Sequence, residues 1–218
     1  MSVSLLALPI FVLGTVIGSF LNVVALRTVS GKKFYHGRSE CIHCLSTINW
    51  FDNIPILSFL VLKGKCRSCN RSISLQYPLV EFVTGVVFML LFIQNIDLQH
   101  QFIFLILSAI LILISVIDIL EKSIYQSHLY ILLALTIIFR IFVEPIGNLI
   151  DLFYGPLAFG GFLSLLRWVG GKIYKKEAMG IGDVKLAVVL GFMLSFQLAI
   201  VALYISFISA SLLDRKST

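Results

Sequence analysis

The run Gln101-Phe102-Ile103-Phe104-Leu105-Ile106-Leu107-Ser108-Ala109-Ile110-Leu111-Ile112-Leu113-Ile114-Ser115-Val116-Ile117 carries no charge and stops at Asp118. A helix needs about 17–25 predominantly apolar residues to cross the hydrocarbon layer of a bilayer, so this stretch reads as a membrane span. The composition agrees. The chain has 218 residues, 59% hydrophobic and only 13% charged, with a mean hydropathy of +1.01. Soluble domains are nearer a quarter charged. The expected fold is an all-α polytopic membrane protein, with the lipid bilayer as its main partner.

Outward from that run, further spans are expected over residues 4–26, 76–95, 127–143 and 148–169. The apolar stretch 184–213 is too long for one helix and short for two, and divides near Ser195-Phe196-Gln197. Residues 1–3 hold no lysine or arginine and no small-residue cleavage site follows, so the first span is expected to be retained. Gly14 and Gly18 form a small-xxx-small pair suited to close helix packing, and Asn22 is expected to make an interhelical hydrogen bond.

The one long hydrophilic loop, 27–75, carries Arg27, Lys32, Lys33, Arg38, Lys63, Lys65, Arg67 and Arg71 against Glu40 and Asp52. Such an excess close to spans marks the cytoplasmic side. The net charge of +6 is therefore a matter of orientation, and no nucleic-acid partner is expected. With the N-terminus outside, the loops 27–75, 118–126 and 170–183 and the C-terminus fall inside. They hold nearly all the basic residues, Arg140 being the main exception. The same parity puts Asp118 and Asp183 on one face of the membrane.

Ionisable residues at a membrane edge are functional candidates by default. Two carboxyls brought close cannot both ionise, so one stays protonated while the other accepts a proton from water. That is the chemistry of an aspartic protease. Asp183 stands in Gly180-Ile181-Gly182-Asp183-Val184-Lys185-Leu186, where the glycines let backbone come close to a substrate strand. Gly180, Gly182 and Lys185 are the substrate-binding candidates. The competing reading makes both aspartates helix caps.

Cys41-Ile42-His43-Cys44 and Cys66-Arg67-Ser68-Cys69 account for every cysteine. Two C-x-x-C pairs across a loop are the spacing of a four-cysteine structural zinc site. A cytosolic loop keeps its thiols reduced, which disfavours disulfides. The loop lacks apolar residues for a core of its own, so metal would supply its folding energy. His43 is read as a bystander, Asp52-Asn53-Ile54-Pro55 as a tight turn against the loop, and Glu81 as either support for the site or a snorkelling residue.

Taken together, these stretches resemble the prepilin peptidases. The likeness runs through Gly18-Ser19-Phe20-Leu21-Asn22-Val23-Val24, Phe51-Asp52-Asn53-Ile54-Pro55-Ile56-Leu57-Ser58, Lys63-Gly64-Lys65-Cys66-Arg67-Ser68-Cys69 and Ile73-Ser74-Leu75-Gln76-Tyr77-Pro78-Leu79-Val80-Glu81. It resumes at Asp118 and at the G-x-G-D motif ending in Asp183. The resemblance implies a bacterial inner-membrane aspartic protease of about seven to eight transmembrane helices. It would cut type IV prepilins or pseudopilins on the cytoplasmic side, after a glycine that precedes the substrate's hydrophobic helix. It further implies Asp118 and Asp183 as catalytic pair, zinc on Cys41, Cys44, Cys66 and Cys69, and in many members N-methylation from S-adenosylmethionine. The chain then divides into a first helix (1–26), a zinc loop (27–75) and a peptidase core (76–218). Leu120 and Tyr125 stand where relatives often have an acidic residue and a proline, which leaves Glu121 as the fallback for the first aspartate.

Rival classes fit less well. A transporter would place ionisable groups near the midplane and show internal repeats. A membrane thiol oxidoreductase would need reactive, outward-facing cysteines. A non-catalytic assembly protein for pili would keep the loop without needing both aspartates.

Overall fold

The computed structural model describes residues 3–33, 37–94, 96–142, 149–175, 179–194, 198 and 200–206. Among the described residues seven helices have defined bounds: α1 (Val3–Val29), α2 (Leu57–Val61), α3 (Gln76–Ile93), α4 (Leu98–Glu121), α5 (Gln126–Phe142), α6 (Leu149–Tyr174) and α7 (Ile181–Met193); residues 198 and 200–206 are helical as well. A short 3-10 turn covers Trp50–Asn53. Among the described residues extended pairing is limited to two isolated bridges, Glu40 with Thr47 and Lys65 with Ser72. Apart from these bridges the regular structure of the described residues is all helical, as expected. Leu6–Val29, Gln76–Ile93 and Leu98–Glu121 are the three described segments long and apolar enough to cross a bilayer, and Gln126–Arg140 is a shorter apolar helix.

Helix ends differ from the sequence reading where polar residues extend a helix beyond its apolar run. α4 continues through Asp118 to Glu121; the Lys122 N–H still bonds the Asp118 carbonyl at 2.7 Å, and the left-handed conformation of Lys122 (φ 53°) turns the chain away and ends the helix. α7 begins at Ile181, before Asp183, and ends at Met193, with Leu194 extended (φ −95°, ψ 140°). The expected division at 195–197 lies outside the described residues.

The chain forms two compact units, Met1–Ser123 and Ile124–Thr218. In the first, α1 packs along α3 and touches α4. A methyl group on Gly14 would lie 2.8 Å from Gly85 Cα, and one on Gly18 would lie 2.9 Å from Glu81 Cα. From the other side, a methyl on Gly85 would lie 2.8 Å from both the Phe11 ring and the Thr15 methyl. Lipid supplies no hydrophobic drive between helices, so contact this close gives the dispersion energy that joins them. Asn22 is fully buried and donates from Nδ2 to the Tyr77 carbonyl at 3.3 Å, the interhelical bond expected of it.

In the second unit α7 packs on α6 around Phe159, Leu163 and Ala187, and also touches α5. Arg140, the exception to the charge pattern, donates from Nε to the Phe192 carbonyl at 2.9 Å. The last carbonyls of a helix lack partners within it, so Arg140 serves the end of α7.

Candidate metal centre and candidate active site

The loop between α1 and α3 is built from one backbone design used twice. After Cys41, the Leu45 N–H returns to the Cys41 carbonyl (2.9 Å) and the Cys41 N–H goes to Ser46 (3.0 Å). After Cys66, the Asn70 N–H returns to the Cys66 carbonyl (2.9 Å) and the Cys66 N–H goes to Arg71 (2.8 Å). Leu45 and Asn70 are left-handed, at φ 58° and 57°. Each bend turns the chain so that both thiols of its pair face one point. All four Sγ atoms lie within 4.8 Å of one another, with Cys41 and Cys69 at 3.9 Å.

Four thiolates about 2.3 Å from a tetrahedral zinc would stand about 3.8 Å apart, so a cluster spanning at most 4.8 Å needs only a small contraction to hold such an ion. Metal needs thiolate, and the loop favours it at two positions. The Ser46 hydroxyl, 3.0 Å from Cys44 Sγ, and the Ser46 backbone hold the Cys44 thiol down to about 6. Backbone N–H groups of Cys69 and Ser68 lower Cys66. His43 stands outside the cluster, its Nδ1 3.4 Å from Arg71.

Two ties bind this loop together and to the helices. Arg67, inside the second C-x-x-C, donates Nε and Nη2 to Asp52 at 2.7–3.2 Å. The Asp52 carboxylate thereby raises the Arg67 guanidinium above its ordinary value. The turn at 52–55 is thus a structural brace, as read from sequence. Glu81 is only 7% exposed and does not snorkel. Its Oε2 accepts the Ile56 N–H at 2.7 Å, and its carboxylate also engages Ser19 of α1. Sequence marked Glu81 as unusual in a span but could not name its donors, which lie 25 and 62 positions away.

Asp118 lies in the last turn of α4 and is exposed. A carboxylate there faces the negative end of the helix dipole and destabilises the helix, so the capping alternative does not account for it. Asp183 is half-buried in the first turn of α7, three residues after Gly180, which holds the N-cap position without a side-chain cap bond. Its Oδ2 would be 3.2 Å from a methyl group on Gly180. Gly180 has φ −64° and ψ 146°, which any residue adopts, so what its lack of a side chain provides is clearance beside the carboxylate. Over Gly182 a methyl would meet Ile124 Cβ at 3.1 Å, so there the clearance admits the chain segment before α5. Lys185 lines a cleft of about 630 Å³ with Ser164, Arg167, Trp168, Ile181 and Val184. Ile124 and this cleft had no signal in the sequence.

Residues 12–95 match the bacterial peptidase A24 N-terminal domain, and residues 105–213 match the type IV leader peptidase family. A prepilin leader peptidase/N-methyltransferase of Myxococcus xanthus is 34% identical over 88% of this chain and 57% of its own length. A type 4 prepilin-like proteins leader peptide-processing enzyme of Escherichia coli is 37% identical over 82% of this chain and 73% of its own. A prepilin leader peptidase/N-methyltransferase of Klebsiella pneumoniae is 34% identical over 86% and 85%. The chain thus spans little more than half the length of the first of these relatives and most of the other two. No solved structure matches it. With its two matched segments covering most of the sequence, the chain belongs to the type IV leader peptidase family.

Proposed function

We propose that this chain is a membrane aspartic endopeptidase that removes the leader peptide of type IV prepilins or pseudopilins. It acts at the cytoplasmic face of the bacterial inner membrane, with Asp118 and Asp183 as its catalytic carboxyls. The observation that carries the reading is the corner at Asp183, a half-buried carboxylate at a helix mouth with a glycine keeping the space beside it clear. The names of its relatives support the substrate class. The ionised member of the pair takes a proton from water, the water oxygen attacks the scissile carbonyl carbon, and the protonated member gives its proton to the carbonyl oxygen. The two titrate as one unit.

Gly180, Gly182 and Lys185 are proposed to contact the substrate. A basic leader gains nothing from the basic loop or from Lys185, so recognition rests on the substrate's apolar helix packing among the spans. Zinc is the proposed occupant of Cys41, Cys44, Cys66 and Cys69, where it would fix the loop and take no part in the cleavage step. S-adenosylmethionine is the proposed donor for N-methylation of the new N-terminus, an activity in the names of two of these relatives. The 52–55 turn spends Asp52 on Arg67, and no residue is assigned to that cofactor.

The test is cleavage of a prepilin-like substrate in membranes by wild type, Asp118→Asn, Asp183→Asn and Glu121→Gln, with the product's N-terminus read by mass. Each Asp→Asn change alone should lower cleavage by at least about 10²-fold, the lower end for losing an acid–base group, while Glu121→Gln stays active. Cleavage retained in both Asp→Asn proteins would sink the protease assignment, and a mass increase of one CH₂ would add methylation.

A further inference from the structure

The loop between α1 and α3 holds one segment that its composition does not lead one to expect, the helix α2 with sequence Leu57-Ser58-Phe59-Leu60-Val61. Leu57, Leu60 and Val61 are 61%, 63% and 74% exposed, while Ser58 and Phe59 turn partly inward. Three large apolar side chains at i, i+3 and i+4 form one face, which no described residue of the unit covers. Where that face lies is set by hydrogen bonds. Ile56, the residue before α2, donates its N–H to Glu81. Glu81 is the sixth residue of α3, about 7.5 Å along the axis from its first at 1.5 Å per residue. α3 is itself a span starting at Gln76. The start of α2 therefore lies beside the first turns of a helix long and apolar enough to cross a membrane.

The exit is tied at the edge. The Ile73 N–H bonds the Gly64 carbonyl at 2.7 Å and Lys65 bridges to Ser72, just before α3 begins. Two lysines, Lys63 and Lys65, stand at that exit. The segment goes in at Glu81 and comes out at Ser72–Ile73.

We propose that α2 is an interfacial hook that dips into the lipid bilayer, with Leu57, Leu60 and Val61 in the boundary between headgroups and acyl chains. Amphipathic helices bury their apolar faces about 5–10 Å into that boundary, and the Glu81 bond ties α2 to α3 within its first two turns, a position compatible with that depth. Lys63 and Lys65 complement an anionic headgroup layer. The hook also accounts for Glu81. A helix start carried below the headgroups leaves an N–H that water no longer serves, and an unsatisfied donor there is costly. The Glu81 carboxylate supplies its acceptor. Leu75, at the N-cap of α3, and Leu79 and Phe82 on it form an exposed apolar stripe that would continue the same lipid-facing surface.

The test uses the full chain in phosphatidylcholine–phosphatidylglycerol vesicles, with Trp50→Phe and Trp168→Phe removing the native indoles. A single reporter is then introduced by Leu60→Trp or, independently, by Val61→Trp, two exposed positions at which folding is checked by helical circular dichroism against the parent. Leu45→Trp, on the metal-binding part of the loop, serves as the aqueous comparison. The hook predicts blue-shifted emission from both reporters and at least twofold stronger quenching by phospholipid brominated high in the acyl chain than at Leu45→Trp. Red-shifted, unquenched emission would overturn it by placing α2 in water. Blue-shifted emission that brominated lipid leaves unquenched would overturn it in favour of cover by protein, such as a second copy of the chain.

Discussion

In the cysteine loop, four ligands come from two short segments whose backbones repeat one another, each closed by its own bends and hydrogen bonds. At Asp118 and Asp183, by contrast, each carboxyl is one side chain at a helix end, and no local repeat fixes it. The difference teaches where each site is vulnerable. A thiol set written into backbone tolerates changes around it but would no longer close on an ion when one thiol goes. A carboxyl at a helix end loses its chemistry outright with one atom, and its placement answers to whatever clears the space beside it.

The largest effect that sharpens this contrast is the loss of cleavage in Asp118→Asn and Asp183→Asn, which should leave metal content, read by elemental analysis, unchanged. Metal lost from either variant would mean that the two sites are not independent. Next comes Cys69→Ser. It should take metal content from about one equivalent to near none, because a four-thiolate site closes only with all its ligands. The pH dependence has a definite sign. Metal competes with protons for all four thiols, and Cys69 is held up at about 11, so affinity should fall steadily as pH falls and metal should be lost on acidification. Metal release on raising the pH from 6 to 8 would contradict this.

Gly180→Val is expected to act more mildly. The branched side chain crowds the Asp183 carboxylate, and misplacement on the scale of an ångström costs on the order of 10²-fold in kcat. An unchanged kcat with a raised KM would assign Gly180 to substrate contact alone. The smallest effect should come from Asp52→Asn. It weakens a pair whose Arg67 end is open to solvent and should shift metal affinity by roughly fivefold at most, measured by competition with a chelator.

Much of this was legible before any coordinates, for reasons that differ by residue. The C-x-x-C spacing is local and carries its geometry with it, so the cluster could be read directly. Gly14 and Gly18 were legible because a small-residue pair in an apolar helix has few uses other than close contact. Helix ends were misjudged at Asp118 and Asp183 because hydropathy marks the apolar run, whereas backbone hydrogen bonding continues through polar residues. α2 was hidden by its surroundings: a short apolar helix amid eight lysines and arginines averages out as hydrophilic loop. The partners of Glu81 and the place of Ile124 depend on contacts distant in sequence or across a turn, which no spacing rule encodes.

The glycine contacts between α6 and α7 bear on which mutations this family fold could absorb in pairs. A methyl on Gly160 would collide with the Val188 side chain, so shortening Val188 to alanine can make room for alanine at 160. A methyl on Gly155 would collide with the Gly191 carbonyl oxygen, and one on Gly191 would lie 2.6 Å from Gly155 and Pro156 backbone. Backbone cannot be trimmed by substitution. Drift at position 160 thus has an exit through a second site, whereas positions 155 and 191 lock each other, and any lineage that loses one must move a whole helix to survive it.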